Sequence, residues 1–172
     1  GFNLEAPPRH PLILATTMPG MGQPQADLLR QFPHTHVLLA LLRDGFHEQA
    51  QGGRVKLRGD GSAVLDYPLT DYVMDGARRA MLAMAEIQFA AGAQQVLPVH
   101  EMATLYSTWA QAKAAIEQLP MKPLLTKVVS AHVMGGCGLV SFLHGEPAAA
   151  WTALAYSAAG TLAAAAVLWV LT

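Results

Sequence analysis

The chain has 172 residues, of which 52% are hydrophobic and only 13% charged, against about 25% charged in ordinary globular domains. Its 11 basic and 12 acidic residues are mixed along the chain and leave a formal net charge of −1, so no basic stripe can neutralise a run of phosphates and nucleic acid is excluded as an expected partner. A single cysteine excludes an internal disulfide, no zinc-type Cys/His spacing is present, and the length suits one domain around one core. The opening "GFNLEAPPRHP" has no Met, no basic n-region and no signal-type apolar core. It reads as the interior of something longer, and the chain is expected to be a fragment.

Residues 1–33 are rich in proline and read as loops around a short apolar run, "LILATT". "HTHVLLALLRD" (34–44) is a dense apolar run that suits a buried strand or a short helix. In "GGRVKLRGDGSAVLDYP" (52–68), Val55 and Leu57 alternate with Arg54, Lys56 and Arg58, and Ala63, Leu65 and Tyr67 alternate again after "GDG". That is a β-hairpin with a glycine-containing loop. Over 70–92 the period changes to that of a helix: Met74, Ala77, Met81, Met84 and Phe89 share a face, Thr70 or Asp71 can cap the start, and Gly92 can end it. The hairpin is expected to lie under this helix. A shorter helix fits "TWAQAKAAIEQLP", where Thr108 and Gln111 have capping-box spacing and Pro120 is the stop. "LLTKVVSAHVM" reads as a further strand. Without a regular βαβ rhythm, the class is α+β: a mostly antiparallel sheet with packed helices.

Residues 148–172 carry no charge and are long enough, as a helix, to cross a bilayer. Trp151 and Trp169 lie near the two ends, as interface aromatics do. The run is alanine-rich and lacks flanking Lys or Arg, which leaves three readings open: a membrane helix, a terminal helix buried in protein, or a product of a shifted reading frame. The organisation expected is thus a domain over 1–146 and an apolar tail over 147–172, a candidate transmembrane helix through which the protein would be membrane-associated.

Few motifs carry chemistry. "GMGQPQA" (20–26) is not a dinucleotide fingerprint, since Gln25 takes the third glycine position and Pro24 intrudes. His34 and His36 share a strand face but lack a third ligand, so no metal is expected, and His100 reads as a loop residue. "SAHVMGGCG" (130–138) holds His132 at the end of an apolar run, before Gly135, Gly136 and the lone Cys137. By pattern His132 is either a buried histidine bonded to a backbone carbonyl or a group facing a ligand that the glycines let approach.

Three segments in order carry a resemblance over residues 1 to about 138. "GGRVKLRGDGSAVLDYPLTDYVMDGARRAMLAMAEI", the loop-rich start with "LLRD", and "SAHVMGGCG" resemble the C-terminal, substrate-binding part of glucose-methanol-choline (GMC) oxidoreductases. The last resembles that family's "HPxGTCxMG" segment, with His132 in the place of the active-site histidine and Cys137 in that of the family cysteine. The resemblance implies a GMC-like C-terminal fold, FAD as cofactor, an alcohol substrate, and His132 as proton acceptor while hydride passes from a CH–OH group to flavin. An imidazole, with an ordinary pKa of about 6.5, suits that proton transfer. The family's FAD fingerprint is absent, and after Cys137 the chain departs from the family pattern into "GLVSFLHGEPAAA", where His144 replaces nothing the family uses. The implied protein is therefore a fragment of a flavoprotein alcohol dehydrogenase or oxidase, inactive unless another chain brings the flavin domain. The alternative is a non-catalytic, membrane-attached remnant or interaction protein.

Overall fold

The structure is a computed structural model, and it describes residues 1–44, 47–50, 53–129 and 164–171. Among the described residues six strands and four α-helices follow one another: β1 (Phe2–Glu5), α1 (Pro11–Thr17), α2 (Gln23–Arg30), β2 (Thr35–Leu42), β3 (Arg54–Leu57), β4 (Ala63–Asp66), α3 (Asp71–Ala90), β5 (Gln95–Pro98), α4 (Trp109–Gln118) and β6 (Ala164–Leu171). The class is α+β, and every strand pairing is antiparallel. One sheet has the order β1-β2-β6-β5; the hairpin β3-β4 forms a second.

The four-stranded sheet is covered on both faces, and the alternation along its strands shows how. On β2, Leu38, Ala40 and Leu42 join a core with Val73, Ala77, Met81 and Met84 of α3, while Val37 turns the other way to Leu14 and Met18 of α1. On β5, Val96 belongs to the first core and Leu97 to the second. Period-two alternation thus sends successive side chains into two different cores. The first core also takes Ala112 and Ile116 of α4. Met81, Met84 and Ile116 are its largest fully buried side chains.

α3 begins and ends as its sequence directs. The Thr70 hydroxyl accepts the Val73 N–H at 3.4 Å, and Gly92 takes φ +95°, where a side chain would be strained. In α4, Thr108 Oγ1 accepts the Gln111 N–H at 3.2 Å, and the Gln111 side chain returns to the Ser107 N–H at 3.3 Å, one residue before the cap. Arg78 projects from α3 to the end of α4, where its guanidinium donates to the carbonyls of Ile116, Glu117 and Leu119 at 2.6–2.8 Å. Carbonyls at a helix C-terminus, where intrahelical donors run out, thereby gain a charged donor.

Five expectations change. The proline-rich start is helical twice over, because Pro11 and Pro24 sit in first turns, where their missing N–H costs nothing. The hairpin forms over 54–66, turning through Gly61 at φ +82°, but it does not lie under α3, which packs on the larger sheet and on α4. It is fixed beside that sheet instead. The Tyr67 hydroxyl donates to the buried Asp44 carboxylate, and a Cβ on Gly53 would lie 2.5 Å from the Asp66 carbonyl oxygen, so only glycine fits there. β1 is a strand where only loop was expected, and β5 is a strand over residues that had carried no reading. The strand expected over "LLTKVVSAHVM" is not formed at 124–129; this stretch is a turn and a coil with one bridge, His100 to Thr126, and its remainder lies outside the described residues.

The fifth change concerns the apolar helix expected over 148–172. Residues 164–171 are β6, the strand between β2 and β5, with Thr35 opposite Leu171 and Gln95 opposite the same residue on the other side. An uncharged run reads equally well as a helix or as a strand with neighbours on both edges, and "AAAVLWVL" ends in β-branched and aromatic residues that favour the strand. Residues 148–163 lie outside the described residues. Among the described residues no helix is long and apolar enough to cross a membrane.

Candidate functional site

A cavity of about 640 Å³ opens between α2, β5 and the loop that follows β5. Volumes of this order are usual for small-molecule sites. Leu28, Leu97 and Ala103 give it an apolar floor, and Asp27, Gln31, Gln94, Gln95, Glu101 and Thr104 give it a polar wall. Its elements are set by the local sequence. Met18 caps the end of α1 and is buried in the second core, Gly20 and Gly22 turn the chain at φ +80° and +74°, and Gly22 opens α2.

The wall mixes glutamine amides and a hydroxyl with two carboxylates. Asp27 takes bonds from Gln23 and Arg30 on one oxygen, Oδ1. Glu101 meets Lys127 through Oε1 at 3.3 Å. The second oxygen of each carboxylate and the side-chain carbonyls of the glutamines remain as acceptors. Two carboxylates in the wall disfavour an anion, so the cavity suits a ligand that donates hydrogen bonds, as a hydroxyl does.

Behind the cavity lies His100, fully buried. Its Nδ1 accepts the Met102 N–H at 3.1 Å and its Nε2 lies 3.1 Å from the Pro120 carbonyl oxygen. A carbonyl can only accept and an amide N–H can only donate, so the ring is the neutral Nε2–H tautomer with both nitrogens used. His100 is neither free to ligate a metal nor placed to take a proton from a ligand; it fixes the loop that supplies Glu101, Ala103 and Thr104. The sequence reading of His100 as a loop residue missed this burial. The preceding apolar "QVLPV" was the available signal.

His36 meets the Gln88 side chain at 2.9 Å on the α3 face of β2, and His34 lies in a single 3₁₀ turn before the strand. Among the described residues no three His, Cys, Asp or Glu come together as metal ligands. His132 and Cys137 lie outside the described residues. The glycine turn before α2 does not fit the pyrophosphate of FAD: it follows a helix rather than a strand, Pro24 removes one N–H from the first turn, and the Asp27 carboxylate stands in the same wall. No protein-family model matches the chain, and no curated protein or solved structure is found similar to it.

Proposed function

We propose that the chain is a substrate-binding part of an FAD-dependent oxidoreductase of the GMC type, acting on the CH–OH group of an alcohol. The reading rests on the three-segment resemblance, and one structural observation carries it further. Lys127, five residues before His132 in sequence, is anchored on the cavity's rim by Glu101 and the Met18 carbonyl. The run that leads into "SAHVMGGCG" therefore starts beside Glu101, one of the residues that line the cavity, whose carboxylate oxygens and glutamine carbonyls can accept from a hydroxyl. In this reading the alcohol lies on the floor formed by Leu28, Leu97 and Ala103, the wall orients its hydroxyl, and His132 accepts the hydroxyl proton. The flavin belongs to a separate domain and supplies the hydride acceptor; the glycine turn before α2 does not hold it.

The test grafts residues 1–138 into a complete GMC enzyme and compares His132 with His132→Gln. The variant should lose about 10²–10⁴-fold in kcat with its flavin content unchanged. Full turnover with flavin bound would remove His132 from the chemistry. A graft that folds and binds flavin but oxidises no alcohol would remove the reading itself. The rival reading, a non-catalytic interaction protein, draws on the exposed apolar Leu12, Ile13 and Met21 around α1; it predicts a folded graft without turnover.

A further inference from the structure

The ammonium of Lys127 joins two walls of the cavity that come from distant parts of the chain. It donates to the Met18 carbonyl at 2.9 Å and stands 3.3 Å from Glu101 Oε1. Met18 follows α1 with extended backbone, and its carbonyl, which has no intrahelical donor, takes the charged one instead. Pro19 and Gly20, which follow it, line one side of the cavity, and Glu101, Thr104 and Leu105 line another. Lys127's own segment is already held to the second side by backbone bonds: the Glu101 N–H donates to the Leu125 carbonyl at 2.9 Å, and Thr126 bridges to His100. What the ammonium adds is a tie across the cavity, from the 100–105 loop to the turn after α1. Among the described residues that turn is also held locally by Gln25, whose side-chain amide donates across it to the Ala15 carbonyl at 2.9 Å, and by apolar contact of Leu14 and Met18 with Val37, Leu97 and Val99.

We propose that Lys127 is a strap that keeps these two walls together and controls access to the apolar floor. The proposal does not depend on which ligand the cavity takes. A hydrogen bond from a charged donor to a carbonyl, lying partly out of water, outweighs an exposed ion pair. Released, the turn after α1 would keep its apolar anchor and its Gln25 clamp but lose its polar tie to the 100–105 loop, so opening would be local and the first core would stay closed.

The experiment uses the full chain with Cys137→Ser, so that one introduced thiol can be followed. Ala103→Cys places it on the cavity floor, and Ala80→Cys places it in the first core, where Ala80 is fully buried. Reaction with Ellman's reagent is timed with Lys127, with Lys127→Met, which keeps most of the stem, and with Lys127→Arg, which keeps the charge. Lys127→Met should speed labelling at position 103 by about five- to thirtyfold, and Lys127→Arg should stay within about twofold of the parent. Salt should speed the parent more than the Lys127→Met protein. An unchanged rate in Lys127→Met overturns the proposal, as does Lys127→Arg reacting as fast as Lys127→Met. Faster labelling at position 80 overturns it too, since the lysine would then support the whole fold rather than strap a cavity. Should Lys127→Met not fold, Glu101→Gln removes one limb of the tie, and an unchanged rate at position 103 in that variant has the same force.

Discussion

The two faces of the four-stranded sheet are held in different ways. On the α3 face, contact is mainly apolar, with the His36–Gln88 pair as one polar link: Met81, Met84, Ala77 and Ala80 have no exposed surface, and α4 closes the layer through Ile116. On the cavity face a smaller apolar cluster is supplemented by single polar links, at His100 and Lys127 and between Arg9 and the Thr35 carbonyl at 2.7 Å. The first arrangement spreads its free energy over many weak contacts and leaves little space between its layers. The second concentrates it in a few directional bonds and can therefore enclose a 640 Å³ opening without a continuous layer of side chains.

If this contrast is right, the largest loss should come from the α3 face. Met81→Ala should lower unfolding free energy by about 2–5 kcal/mol in denaturant titration of the full chain; a loss well under this would mean that the site collapses and the layer is loosely filled. Arg78→Met should cost about 2 kcal/mol, since three carbonyls at the end of α4 lose a charged donor, and hydrogen exchange should rise in the last turn of α4. On the cavity face, His100→Phe keeps the volume but strands the Met102 N–H and the Pro120 carbonyl. It should cost about 1–3 kcal/mol, with exchange rising over 101–105 rather than in α3. Leu124→Gly should act in the opposite direction. Leu124 has φ +70° after Pro123, in a turn closed by the Leu125 N–H on the Lys122 carbonyl at 3.2 Å, a place where glycine is unstrained. A gain of about 0.5–1 kcal/mol is expected, net of glycine's greater freedom when unfolded.

The smallest effect belongs to the hairpin, outside both clusters. The Ser62 N–H, and then the Ser62 hydroxyl, hold the Asp60 carboxyl below its ordinary range. The folded value being the lower one, the contribution is present above the ordinary carboxylate range and is lost as pH falls through the lowered value. Nuclear magnetic resonance titration of the Ser62 amide should show its midpoint below that of an unfolded peptide, and Asp60→Asn should abolish the transition.

Elements with a repeating pattern were legible in the sequence. α3 announced itself through the spacing of Met74, Ala77, Met81 and Met84, and the hairpin through alternation on either side of "GDG". What was not legible had no pattern of its own. β1 and β5 are four residues each and, unlike the equally short β3 and β4, have no turn such as "GDG" joining them to a partner next in sequence; β6 is an uncharged run whose meaning depends on the strands beside it. The prolines of α1 and α2 read as breakers because a single sequence does not say whether a proline falls in a first turn or in an interior. The cavity was hidden for a related reason. Its wall joins residues 19–31 to residues 94–105, and neither stretch carries a motif that points to the other. His132, which a motif did single out, lies outside the described residues.

The arrangement at His100 also gives the molecule a reporter of its own condition. A ring N–H buried from water and donated to the Pro120 carbonyl exchanges slowly with solvent and should give a separate downfield proton resonance. The ¹⁵N shifts of the same ring distinguish the nitrogen that carries the proton from the one that accepts the Met102 N–H. Because that ring fixes the loop forming one wall of the cavity, one signal, followed without any label or ligand, records whether that wall is in place.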